Sequence, residues 1–167
     1  MLVLTFRTQT RGLVGYINAD GATQEHRCAI MDYTFLIDGG AIIWGSRKQE
    51  LVMLSMTKLK YVTATHTPKE AIWLQQLINK MFQPLMCPMT LYGNNQSAIM
   101  LTHKSSYHAH TKHIDIHYHS ISFSVENGSI SFLYCPSMNM IADTLTKALP
   151  SIKAKHFAHK LDLYLSV

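Results

Sequence analysis

The sequence predicts a mixed α/β domain, one sheet with helices packed against it. Three observations lead there. Three strand-like stretches follow one another near the N-terminus, with a glycine-rich turn between the second and third. The apolar spacing then changes to a helical period from Thr57 to Phe82. Beyond that, short apolar runs alternate with helical ones. The resulting order, β-β-β-α-β-α-β-α, is a meander followed by crossovers and not a regular βαβ repeat. With 167 residues, 47% hydrophobic and 15% charged, the chain reads as one globular domain over residues 1–167 with a sizeable core.

Leu2 to Arg7 alternates weakly and is expected to add an edge strand before the central one. Leu13 to Asp20, LVGYINAD, carries Val14, Tyr16 and Ile17 and reads as a buried central strand. Residues 20–28 are a polar loop. Ala29 to Ile37 is the second strand of the meander, Asp38-Gly39-Gly40 the hairpin turn, and Ala41 to Ser46 the third strand. In the helical stretch Leu59, Val62, Ile72, Trp73, Leu77 and Ile78 can share a buried stripe. Pro68 interrupts it. A mid-helix proline loses a hydrogen bond and clashes with the preceding turn, at about 3 kcal/mol, so a kink or break is expected at Thr67-Pro68. Met89 to Gly93 is a short strand, and Asn95 to Leu101 starts a helix. Ser105 to His110 is a loop. Thr111 to Glu126 is a helix stopped by Asn127-Gly128. Ile130 to Tyr134 is the last strand. Asn139 to Ala148 reads as helical, Pro150 breaks it, and Ile152 to Leu163 gives a terminal amphipathic helix.

The bulk numbers exclude several classes. No apolar run reaches the roughly 18 residues of a membrane span. The N-terminus lacks the basic region of a signal peptide. Cys28, Cys87 and Cys135 are odd in number and without metal or disulfide spacing, so free thiols in an intracellular compartment, cytoplasm or nucleus, are expected. The net charge of +5 suits a polyanion partner, and an ordinary solvated basic surface equally.

Several segments resemble the ribonuclease H domain of copia-type retrotransposon Pol polyproteins. LVGYINAD is similar to that family's LVGYSDADW, and AIIWGSRKQ to AISWKSKKQ. KEAIWLQQL, NNQSAI, TKHIDIHYH and ADTLTKALP resemble KEAIWLRRL, DNQSAI, TKHIDIRYH and ADIFTKALP. The likeness covers about Leu13 to Leu163. It implies a ribonuclease H-like fold, a five-stranded mixed sheet with helices on both faces. It also implies descent from an endoribonuclease that cleaves RNA in RNA–DNA hybrids. The polymerase region that precedes such a domain in the polyproteins has no counterpart in the sequence, which reads as a stand-alone piece.

In that family four carboxylates hold two Mg²⁺ ions that clamp the scissile phosphate. Transferred position by position, the ligands fall on Asn18, Lys60, Asn94 and Asp143, of which Asp143 alone keeps its carboxylate. An Asn keeps the shape of Asp without the charge. Lys60 places an ammonium where a cation would sit, and a pairing of Lys60 with Asp143 is expected. Lys58 replaces a second acid of the same helix. Asp20, two residues beyond Asn18, is a candidate substitute ligand. The expectation is therefore a catalytically inactive copy that binds no Mg²⁺ cofactor. Two other readings stay open, a non-catalytic module for RNA–DNA hybrid or other nucleic acid, and a scaffold for a protein partner.

The stretch from His103 to His119 holds His103, His108, His110, His113, His117 and His119. His113 and His117 have the four-residue helical spacing of a zinc pair, but a third ligand is not evident, so a structural and surface role is expected. His110 and His117 stand where the resembled family has Arg, which would weaken contact with a nucleic-acid backbone at neutral pH. The ten methionines and the stripe around Trp73 read as core filling.

Overall fold

The computed structural model describes residues 2–4, 12–20, 30–48, 56–81, 88–103, 123–145 and 148–165. Strands β2 (Leu13–Asp20), β3 (Ile30–Ile37), β4 (Gly40–Lys48), β5 (Met89–Gly93) and β6 (Ile130–Tyr134) form one sheet in the order β4-β3-β2-β5-β6. The meander β2-β3-β4 is antiparallel, whereas β5 runs parallel to both β2 and β6. Asp38 at φ 49° and Gly39 at φ 85° make the expected tight hairpin turn.

Helix α1 (Met56–Met81) covers one face of the sheet. Its Ala71, Leu74 and Ile78 pack with Leu13, Ile17, Tyr33, Phe35, Leu91 and Phe132. Helix α2 (Gln96–His103) lies beside α1, with Ile99 against the same core. The opposite face is covered by a 3-10 turn (Ile141–Leu145) and helix α3 (Ser151–Lys160), through Ile141 and Phe157 packed on Leu36 and Ala41. Helices on both faces of a five-stranded mixed sheet match the sequence expectation.

Four local expectations are corrected. Strand β1 (Leu2–Leu4) is not an edge of the main sheet; it pairs with β7 (Leu163–Leu165) in a separate two-stranded sheet. Alternation showed a strand but could not name its partner. The terminal helix accordingly stops at Lys160, where Asp162 takes a positive φ of 53° that turns the chain into β7. The segment after β6 is a 3-10 turn and not a full helix. Trp73 is 53% exposed, because the buried stripe of α1 is centred on Ala71, Leu74 and Ile78 instead.

The expected break at Thr67-Pro68 is also absent, since α1 runs unbroken through Pro68. Both residues are almost fully buried, so packing of the ring against the body of the protein offsets part of the cost of proline in the helix. Pro68→Ala removes that cost, about 3 kcal/mol, and gives up two ring carbons, about 0.8 kcal/mol each. A net gain near 1 kcal/mol should appear as a higher Tm; a lower Tm would mean that the ring's packing outweighs that cost.

Of the predicted helix at Thr111 to Glu126, the described part is residues 123–126, closed as expected by Asn127 and by Gly128 at φ 73°. The loop at 105–110 and the histidines from His108 to His119 lie outside the described residues. No helix among the described residues is long and apolar enough to cross a membrane.

Candidate functional site

Strand β2 is the switch point of the sheet, with its antiparallel partner β3 on one side and its parallel partner β5 on the other. Ligand crevices of α/β sheets form at the carboxyl ends of strands at such a point. Asn18 lies near that end of β2, only 3% exposed. Asn94 follows directly on the end of β5. Asp143 arrives from the 3-10 turn, which is anchored by the buried Met140, Ile141 and Ala142. The turn holds its shape through Asp143 N–H to Met140 C=O (3.1 Å) and Thr144 Oγ1 to Ile141 C=O (2.8 Å).

The three side chains form a hydrogen-bonded relay. Asn94 Nδ2 donates to Asn18 Oδ1 at 3.1 Å, and Asn18 Nδ2 donates to Asp143 Oδ1 at 2.6 Å. An ionised carboxylate can only accept, so Asn18 must present its amide nitrogen to Asp143 and its oxygen to Asn94. The contact is shorter than the usual range of about 2.7–3.2 Å for an N–H···O bond. The other oxygen of Asp143, Oδ2, stands 4.0 Å from Lys153 Nζ. That ammonium also lies 5.3 Å from the centroid of the Phe157 ring.

Three of the four positions singled out in the sequence are therefore brought together. Lys60 sits in α1, but its side chain lies outside the described residues, as do those of Lys58 and Asp20; Asp20 is the last residue of β2. The expected Lys60–Asp143 pairing therefore falls outside what the structure describes, and the lysine it places near Asp143 is Lys153. Nothing in the sequence marked Lys153 for that role.

Asp32 was also missed. It is fully buried in β3 and directly opposite Asn18. The available signal was an acidic residue inside the otherwise apolar run IMDYTFLI.

The arrangement does not suit a divalent ion. Mg²⁺ takes several charged oxygens, whereas the relay has one carboxylate oxygen engaged by an amide N–H and an amide oxygen engaged by Asn94. Among the described residues no three His, Cys, Asp or Glu side chains gather in a way that could hold a metal.

Beneath the relay, Tyr16 and Tyr92 stack with ring centroids 5.0 Å apart, next to the buried free thiol of Cys135. Burial pushes the Tyr16 hydroxyl up to about 12, with smaller contributions from Cys135 and Tyr92, and burial also raises the Cys135 thiol. The folded Tyr16 thus holds its proton beyond the ordinary tyrosine value of 10.0. Its share of stability should be lost as pH climbs from 10.0 toward about 12. Tyr16→Phe should remove that share, measured as a smaller loss of Tm on alkalinisation than in the parent.

No family model matches the chain. It is 40% identical over 142 residues, 84% of its length, to the retrovirus-related Pol polyprotein from transposon TNT 1-94 of Nicotiana tabacum. It is 30% identical over 153 residues, 91% of its length, to the corresponding polyprotein from transposon RE1 of Arabidopsis thaliana. The chain spans only 11% and 10% of these relatives. Among solved structures it is similar to LC11-RNase H1 in complex with RNA/DNA hybrid, with a TM-score of 0.54 at 12% identity, covering 80% of this chain and 92% of that one. It is also similar to an N-terminal RNase H domain from Mycobacterium tuberculosis, with a TM-score of 0.55 at 8% identity over 90% and 98% of the two chains. At such identities the structural likeness speaks for the fold alone. Sequence relatives and fold together place the chain in the retrovirus-related Pol polyprotein family, as a ribonuclease H-like domain.

Proposed function

We propose that this domain descends from an RNA–DNA hybrid endoribonuclease of copia-type retrotransposons and has lost catalysis. The observation that carries this is the Asn18–Asp143 contact of 2.6 Å. A carboxylate at residue 18 would repel Asp143 unless a cation lay between them; the amide binds Asp143 directly and removes the need for that cation. Two-metal phosphoryl chemistry requires shared carboxylate ligands, and the three positions brought together supply one. Purified protein should show no Mg²⁺- or Mn²⁺-dependent cleavage of a labelled RNA–DNA hybrid, and its Tm should not rise with Mn²⁺. Cleavage that disappears in Asp143→Asn would overturn this reading.

A basic balance of +5 is compatible with a retained non-catalytic role in binding hybrid, the reading taken forward ahead of a protein scaffold. LC11-RNase H1, of the same fold, is a protein solved with an RNA/DNA hybrid bound. Binding that weakens steeply with salt and needs no divalent ion is the expected result. A partner recovered from extract after nuclease treatment, with no hybrid binding, would favour the scaffold.

A further inference from the structure

The register of the sheet extends the polar row of Asn18 outward to an exposed edge. Asn18 faces Asp32 of β3, and Asp32 faces Ser46 of β4. Directly opposed residues share a face of the sheet. Ser46 therefore lies on the face of Asn18, and so do Trp44 and Lys48, two residues to either side, which face Thr34 and Ile30. β4 is an edge strand, and Ser46 stands two strand spacings from Asn18, about 10 Å. Trp44 is 62% exposed, and Ser46, Arg47 and Lys48 are exposed beside it.

Charged side chains on an edge strand are a common guard against edge-to-edge pairing. That accounts for Arg47 and Lys48, but an exposed indole works against it, because it adds apolar surface where another chain can dock. An exposed aromatic ring next to basic side chains can meet the backbone of a nucleic-acid duplex, the ring packing on sugars and the cations meeting phosphates. Trp44 and Lys48 are four residues apart, about 14 Å along the strand. That spans about four nucleotide steps of 3.4 Å.

We propose that Trp44 and Lys48 form a backbone-binding subsite for an RNA–DNA hybrid lying across the face that carries Asn18, Trp44 packing on its sugars and Lys48 contacting its phosphates. This rests on the hybrid-binding reading given above. The net charge of +5 and the absence of an acidic residue from Gly40 to Lys48 suit a polyanion at this edge.

The chain has two tryptophans, Trp44 and Trp73. Trp73→Phe leaves Trp44 as the sole indole, and Trp44→Phe leaves Trp73, which lies on α1. Both variants are titrated with an unlabelled RNA–DNA hybrid while tryptophan emission is followed. Anisotropy of a labelled hybrid measures binding separately.

Emission should change and saturate in Trp73→Phe and stay constant in Trp44→Phe. Trp44→Ala should weaken binding about ten- to hundredfold, the loss of a ring buried against the hybrid. Lys48→Ala should reduce the slope of log affinity against log salt by about one, whereas Lys80→Ala on α1 should leave it unchanged. Binding by anisotropy without a response from Trp44, or with equal losses in Trp44→Ala and Trp73→Ala, would overturn the subsite and leave hybrid binding standing. No binding by anisotropy would overturn both.

Discussion

Asn18→Asp alone should lower the Tm by roughly 6–12 °C in metal-free buffer, although it brings residue 18 back to the residue of the resembled family. The substitution removes the amide that Asp143 accepts from at 2.6 Å and sets two buried carboxylates against each other. Hydrogen bonds to a charged group contribute about 1.5–3 kcal/mol. Burying a like-charge pair adds a further cost, for a total of about 3 kcal/mol. Lys153 is the nearby cation, but it is 35% exposed and 4.0 Å from Asp143, so it recovers little of this. Asn18→Asp combined with Asp143→Asn exchanges amide and carboxylate, and should regain most of the lost Tm. That recovery is the signature of a direct contact in a double-mutant cycle. An unchanged Tm in Asn18→Asp would show that the relay contributes nothing to stability.

The triple variant Asn18→Asp, Lys60→Glu, Asn94→Asp should show a metal-dependent rise in Tm, and the parent none. With Asp143 it again presents four carboxylates, whose mutual repulsion a divalent ion relieves. A ligand that binds only the folded state at a hundred times its Kd adds about 2.7 kcal/mol, or roughly 5–11 °C for a chain of this size. Single reversions should gain far less, because each leaves either too few charged oxygens or the Lys60 ammonium. The comparison is Tm with Mn²⁺ and with chelator for parent and variant. A folded triple variant with no Mn²⁺-dependent rise would mean that the changes reach beyond the ligand positions. Lys153, already beside the remaining carboxylate, is the first side chain to remove in that case.

Much of the architecture could be read from local pattern. LVGYINAD, MTLYG and ISFLY occupy the very spans of β2, β5 and β6, because a short apolar run bounded by turn residues carries its own boundaries. The hairpin at Asp38-Gly39 followed from the positive φ that such a turn needs. The sequence by itself also determined the family and the lack of a carboxylate at residues 18, 60 and 94, since the identity of a side chain is not altered by folding. What Asn18 contacts was decided by tertiary structure. Asn18 and Asp143 are separated by 125 positions in the chain, and no local period relates them. Strand register put Asp32 beside Asn18 and carried that row out to Ser46, between Trp44 and Lys48 on the edge. The start of α3 brought Lys153, and not a residue flagged by spacing, to Asp143. Pro68 shows the same limit from the other side. Its local cost is real, but burial supplied a compensating term that helix propensity does not contain.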